Sequence, residues 1–384
     1  MPRLLIVTTV ESTLRAFLLP YADHYRRLGW QVDSLASGLS NCEECASTFD
    51  CVWDIQWSRN PANLTGVMSG LQRVKEIVAN GHYDIVHVHT PVAAFIVRTA
   101  LRKRGSRPLV VYTAHGFHFH SAGSVWKNKL FLHLERLAGK WTDALVTINE
   151  EDFAAAKSLR LVPINRLFLM PGIGIDIEHY SMESVSDAQL DRLRQELELN
   201  DSGCIFLQVA EFIPRKRHED ILRAFSQLKF PATLLLAGPG PLQPKMRNLA
   251  ARLGIICKVK FLGLRKDIPS LMRLADVVVL SSQQEGLPRC VMEAMAMGRP
   301  VIGSDVRGIR DLLKDDCGVL FPVGDVSALT EAMTRLGKDP ELCRHYGSAG
   351  RQAIMNYDIK STIALHDNLY KSILTCAKRT QMKG

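Results

Sequence analysis

Two carboxylates stand eight positions apart in the run Glu285-Gly286-Leu287-Pro288-Arg289-Cys290-Val291-Met292-Glu293. Glu285 lies beside a glycine, in what reads as a loop. Pro288 suits the first turn of a helix, where its missing N–H costs nothing. Glu293 then falls inside that helix, and Gly298 suits its end. A helix N-terminus offers N–H groups and partial positive charge, both matched to phosphate. Carboxylates beside it accept hydrogen bonds from sugar or ribose hydroxyls. The pairing predicts a site for a nucleotide that carries a sugar.

Other residues bear on that chemistry. Arg215, Lys216 and Arg217 form three consecutive cations in Phe212-Ile213-Pro214-Arg215-Lys216-Arg217-His218. A strand-to-helix junction places them well for phosphates. A solvated basic turn is an equal reading of these residues alone. The Glu285 loop in the same half favours binding. Gly263-Leu264-Arg265 follows another strand, and its backbone suits a base or ribose. His115 ends a strand in Thr113-Ala114-His115-Gly116-Phe117-His118-Phe119-His120. The spacing of the three histidines matches no zinc signature. A polar or acid–base role for a single histidine is expected instead. Glu11, Ser12 and Arg15 follow the first strand. A G-x-G-x-x-G phosphate loop is absent there, which counts against a dehydrogenase.

These side chains need elements to hold them. Leu4–Val7, Val32–Leu35, Asp84–His89, Leu109–Thr113 and Ala144–Ile148 read as strands, with helices over Leu14–Leu28 and Val92–Leu101. The pattern restarts with strands at Cys204–Val209, Thr233–Gly238, Val259–Leu262, Val277–Leu280 and Pro300–Gly303, and a helix over Arg217–Leu228. Two separate α/β runs imply two doubly wound parallel sheets. The polar stretch around Asp176–Asp201 separates them. Ligands in such sheets collect outside the carboxyl ends of the strands. With two domains, the cleft between them is the natural site.

The chain's 384 residues suit two domains. At 47% hydrophobic and 23% charged, its composition argues against disorder. The opening lacks a signal peptide's apolar core and cleavage site. No run approaches the ~18 apolar residues of a membrane span. A cytoplasmic protein is expected. The nine cysteines read as free thiols. Cys42, Cys45 and Cys51 come nearest to a cluster, but no second pair completes a zinc site. The net charge of +9 suits phosphorylated ligands or an anionic membrane. Nucleic acid is disfavoured, since no zinc-finger or RNP-type motif is present. Ser124–Trp141 mixes Trp126, Leu130, Phe131, Leu134, Leu137 and Trp141 with Lys127, Lys129, Arg136 and Lys140. It reads as a core-facing helix, or more sharply as a surface helix resting on anionic lipid. Arg98, Arg102, Lys103, Arg104 and Arg107 would assist that contact.

At this point the chain resembles a known family. Its Glu285–Glu293 spacing, with the flanking strand, Pro, Gly and next strand in order, looks like the E-x7-E motif of family-4 retaining glycosyltransferases. Phe261-Leu262-Gly263 and Pro171-Gly172-Ile173-Gly174-Ile175-Asp176 also look like family signatures. The opening Thr-Thr-Val-Glu-Ser-Thr-Leu-Arg-Ala-Phe, the His-Gly-Phe-His-Phe run and Val-Ala-Glu-Phe-Ile-Pro-Arg-Lys-Arg-His resemble the capsule and exopolysaccharide branch. The resemblance implies a GT-B fold: Rossmann-like domains over 1–177 and 178–359 facing across a cleft, with a last helix near 360–384 returning to the first. It implies that Glu285 meets donor-sugar hydroxyls and Glu293 the ribose. Gly286 and Leu287 N–H groups would hold sugar or phosphate. Lys216 would pair with the diphosphate, and His115 would sit by the reacting sugar. Many relatives carry a Gly-Arg pair where Ala210-Glu211 stands, so Arg215 or Arg217 would assist Lys216.

The implied donor is a nucleotide sugar, uridine diphosphate being the family's usual carrier, with no divalent metal. The implied acceptor is a polyprenyl-diphosphate-linked glycan at the inner face of the cell membrane, with peripheral contact to anionic lipid. Two rival readings are a UDP-N-acetylglucosamine 2-epimerase-like enzyme, which needs no acceptor, and a non-catalytic membrane-associated partner of a polysaccharide assembly complex.

Overall fold

A computed structural model of the chain describes residues 1–57, 64–103, 107–117, 125–199 and 203–381. His118, His120, Arg104 and Ser124 lie outside them. The chain divides into two compact units, one of residues 1–173 with 362–384, the other of residues 174–361.

The first unit holds seven strands: β1 (Arg3–Val10), β2 (Gln31–Ser37), β3 (Cys51–Asp54), β4 (Ile85–Val88), β5 (Leu109–Ala114), β6 (Ala144–Thr147) and β7 (Leu167–Leu169). They pair in parallel in the order β3-β2-β1-β4-β5-β6-β7. The second holds β8 (Cys204–Val209), β9 (Ala232–Ala237), β10 (Val259–Gly263), β11 (Val277–Leu280), β12 (Val301–Ser304) and β13 (Val319–Phe321). Its order is β10-β9-β8-β11-β12-β13, again parallel. Both are doubly wound Rossmann-like sheets. The strand order reverses beside the first strand of each, between β1 and β4 and between β8 and β11. Such reversals open a crevice at the carboxyl ends of the strands.

Burial explains which strands the sequence announces. β4, β6, β11 and β12 are buried at every position. Helices cover both faces, so these strands are continuous apolar runs. Along β11, Val278 joins the core on one face of the second sheet, and Val277 and Val279 join the core on the other. The sequence reading lacks β3, β7 and β13. All three are edge strands with partly exposed residues.

The helix expected over Leu14–Leu28 is two helices, Glu11–Phe17 and Leu19–Arg27. Pro20 opens the second, and its missing N–H ends the first helix's bonding pattern. The long helix Ile359–Gln381 packs its later part on the first unit. There Asp367 meets His24 at 3.1 Å, and the Tyr370 hydroxyl meets His87 Nδ1 at 2.5 Å. Tyr370 also rests against the rings of Tyr25 and Trp30. Among the described residues no helix is long and apolar enough to cross a membrane.

Two surface expectations need correction. Arg98 is buried, with a forked contact to Glu135 and its guanidinium 4.3 Å from the Tyr112 ring centre. Arg107 pairs with Asp143 at 2.7 Å. Neither offers a free charge to lipid; Arg102 and Lys103 are exposed. The cysteines are not all free thiols either. Cys42 caps the Glu43–Thr48 helix and Cys45 sits one turn on, so their Cα atoms are 5.3 Å apart and a disulfide joins them. Cys51 is free.

Candidate active site

The loops that follow β8 and β11 meet at the reversal point of the second sheet. Lys216 Nζ lies 2.5 Å from Glu285 Oε1. Arg215 reaches Glu285 Oε2 at 3.5 Å and donates to the Gln284 carbonyl at 3.1 Å. Glu285 is 8% exposed. A carboxylate so buried needs a cation beside it.

The sheet shapes the basic loop from beneath. Ser281, buried at the end of β11, places its hydroxyl 3.1 Å from the Lys216 carbonyl and 2.9 Å from that of Arg217. Gln208 of β8 donates to the Lys216 carbonyl at 3.3 Å. Both carbonyls turn inward because Arg217 is left-handed, at φ 47° and ψ 44°. The Glu285 loop is held from the far side. Arg307, buried, donates to the Glu285 carbonyl at 3.4 Å. Gly308 packs so closely that a Cβ there would lie 1.9 Å from the Gly286 oxygen.

Glu293 sits in the helix Arg289–Ala296, whose residues from Val291 to Ala296 are all buried. Pro288 precedes this helix as its N-cap residue, one place earlier than expected, and no side chain caps the start. Gly298 is left-handed just past the end, at φ 67°. Arg289 Nε donates to Glu293 Oε1 at 2.9 Å. Tyr180, buried, lies within the fields of the same carboxylate and of Arg289. Cys290 lies within the fields of Lys216, Glu285 and Glu293, and burial pushes its thiol up to about 12. It is therefore no nucleophile at neutral pH.

The remaining donor-side candidates divide. Arg217 is not brought to Glu285; its guanidinium grips Asp220 at 2.5 and 3.0 Å. It lines a separate hollow of about 540 Å³ with His218, Arg223 and Lys245. Arg265 is likewise committed, to Asp267 and Glu196. Gly263 is left-handed at φ 65°, and the Leu264 side chain is exposed. Their backbone remains the part suited to a base or ribose.

In the first unit, Glu11 opens a helix straight after β1, with Ser12 and Arg15 exposed on it. Glu11 leans on the turn at Gly38, and Arg15 makes a loose exposed pair with Glu44 at 3.8 Å. His115 follows β5, half-buried. Its Nε2 is 3.2 Å from His89 Nδ1, and the His89 ring centre lies 4.0 Å from that of His87, the two rings tilted. Burial pushes His115 down to about 4 and holds His87 and His89 well below the usual imidazole range. These rings are neutral at physiological pH. Sequence reasoning missed His89, although His87-Val88-His89 closes β4. It also missed Ser281, Arg307 and Tyr180, which act on residues distant in the chain, and Gln208 and Arg289, whose partners Lys216 and Glu293 are close in sequence. Among the described residues no group of three or more His, Cys, Asp or Glu side chains converges to hold a metal ion.

Comparison with known proteins now decides the family. A profile described as Glycosyl transferases group 1 matches residues 190–353, and one described as Glycosyl transferase 4-like domain matches residues 13–171. The Bacillus subtilis protein EpsD, described as a glycosyltransferase, is 33% identical over 377 residues, 97% of each chain. The chain belongs to the group 1 glycosyltransferases. An Escherichia coli relative of this transferase, UDP-Gal:alpha-D-GlcNAc-diphosphoundecaprenol alpha-1,3-galactosyltransferase, is 28% identical over 72% of each chain. The crystal structure of Anabaena HepE with UDP and glucose matches 97% of the transferase and 100% of that chain, at a TM-score of 0.81 and 20% identity. At that identity the likeness speaks for the fold alone, which is that of the GT-B glycosyltransferases.

Proposed function

We propose that the enzyme transfers a sugar, with retention, from a uridine diphosphate sugar to a polyprenyl-diphosphate-linked saccharide in bacterial surface polysaccharide synthesis. The Lys216–Glu285 pair beside the start of the Arg289–Ala296 helix carries this reading. It offers a cation and helix N–H groups to a diphosphate, and a carboxylate to sugar hydroxyls. Further support comes from the Escherichia coli relative, whose name states a UDP-sugar donor and a diphosphoundecaprenol acceptor.

On this reading, negative charge grows on the diphosphate as it leaves the sugar. Lys216, Arg215 and the helix start stabilise that charge, without a divalent metal. Glu285 orients the donor sugar and Glu293 the ribose. Gly286 and Leu287 present N–H groups, and Gly263, Leu264 and Arg265 flank the base. His115 sits by the reacting sugar, and Glu11, Ser12 and Arg15 serve the acceptor side. The acceptor hydroxyl attacks the face that the diphosphate leaves, giving its proton to a leaving oxygen.

Membrane contact is part of the proposal. Trp126, Lys129, Leu130, His133, Arg136, Leu137 and Lys140 are exposed along one face of the helix Val125–Gly139 and its end. Trp126 is 80% exposed. Such a mixed apolar and basic stripe fits the inner, anionic leaflet.

The test is a screen of nucleotide sugars with a lipid-diphosphate saccharide acceptor, read by mass. One donor should yield an acceptor heavier by one sugar, with an α-linkage from an α-linked donor. Conversion of the donor without acceptor would favour an epimerase. No product from any pair would sink the donor and acceptor assignment.

A further inference from the structure

Glu293 is 6% exposed, yet its carboxylate is already engaged. Arg289 Nε donates to Oε1 at 2.9 Å, and the buried Tyr180 lies within the field of the same carboxylate. A ribose diol brings two further O–H donors to that one nearly buried carboxylate. Tyr180 is buried, whereas the Arg289 side chain is 37% exposed. Arg289 is therefore the neighbour of Glu293 that can give way to ribose.

Arg289 has somewhere to go. It is the first residue of the helix, one turn closer than Glu293 to the end that suits phosphate. The neighbouring cations there are already shared: Lys216 and Arg215 both face Glu285, and Arg217 is held by Asp220. A bound diphosphate brings more negative charge than Lys216 and Arg215 can meet while they neutralise Glu285. A guanidinium fork suits two phosphate oxygens better than one carboxylate oxygen.

We propose that Arg289 covers the ribose-binding carboxylate in the unliganded enzyme and moves to the diphosphate when the donor binds. It thus makes affinity depend on the phosphates as well as the nucleoside. The inference rests on the donor-site reading above and adds a specificity residue to it.

The experiment compares UDP with uridine as ligands of the full chain, by calorimetry and ligand-observed NMR. In Arg289→Gln the Kd for UDP should rise about tenfold or more, the worth of one charge-assisted contact. Uridine binding should be unchanged or tighter, because Arg289 no longer has to give way. Arg289→Lys, which keeps the charge but loses the fork, should fall between and covers the case in which the Gln variant does not fold. A parallel weakening of UDP and uridine would mean that Arg289 only braces the helix, and would overturn the inference. An unchanged UDP-to-uridine ratio would overturn it too. Failure of the wild-type enzyme to bind UDP would instead overturn the donor reading itself, and this inference with it.

Discussion

A carboxylate 8% exposed and 2.5 Å from an ammonium ties stability to activity at one residue pair. Lys216→Met leaves Glu285 only the looser Arg215 contact at 3.5 Å and should cost folding stability, with about 3–5 kcal/mol as the upper bound. It should also cut turnover by about 10²–10³-fold, the usual loss when one charge-stabilising donor is removed. Adding Glu285→Gln to that variant removes the under-compensated charge. The double variant should regain most of the stability in urea denaturation and none of the turnover. Recovery of turnover with stability would mean the pair is merely structural. His115 supports a second expectation. Burial holds it down to about 4, so it stays neutral where an ordinary imidazole titrates. The profile of kcat/KM should therefore show no His115 step between about pH 8 and 6. A step near 6.5 that disappears in His115→Gln would refute this. His115 was legible in the sequence because it ends a strand. Its partner His89 was not, because β4 and β5 are separate in sequence and only their pairing brings the rings together.

Elements were legible in proportion to their burial. Central strands such as β4 and β11 are unbroken apolar runs because both faces are covered. Edge strands β3, β7 and β13 are short and partly wet, so their residues carry little pattern. The helix Val125–Gly139 was ambiguous for a related reason. Its composition fits a core face and a lipid face equally, and the contacts divide the two. Phe131 and Leu132 pack on the first unit's core, while Trp126, Leu130 and Leu137 remain exposed. Replacing those three by Ser should reduce sedimentation with phosphatidylglycerol vesicles by about tenfold or more, since each buried Leu is worth roughly 1.5–3 kcal/mol. Turnover of a water-soluble acceptor should be unaffected. Equal sedimentation of variant and wild type would remove this face from the membrane proposal.

At the scale of the whole molecule, both units carry neutral histidines that are buried or, at His115, half-buried. His87, His89, His115 and His366 lie in the first and His218 in the second, each lowered chiefly by burial. In the unfolded chain they titrate near the ordinary value of about 6.5. Below that pH the unfolded state binds more protons than the folded state. Stability is therefore full above about pH 6.5 and declines as pH falls, by up to about 1.4 kcal/mol per pH unit for each histidine. The urea midpoint at pH 5.5 should lie well below that at pH 7.5; equal midpoints would contradict the burial account. The sequence by itself determined the doubly wound architecture, because apolar strands and amphipathic helices alternate twice. It also determined the pair Glu285 and Glu293, because their spacing is local to one loop and helix. The partners of those residues were decided by tertiary structure alone. Lys216 and Arg217 are adjacent and alike in charge, yet one faces Glu285 and the other Asp220. A left-handed turn at Arg217, held by Ser281 and Gln208 from two other strands, makes that choice. No local pattern encodes it, since those contacts exist only once the sheet has formed.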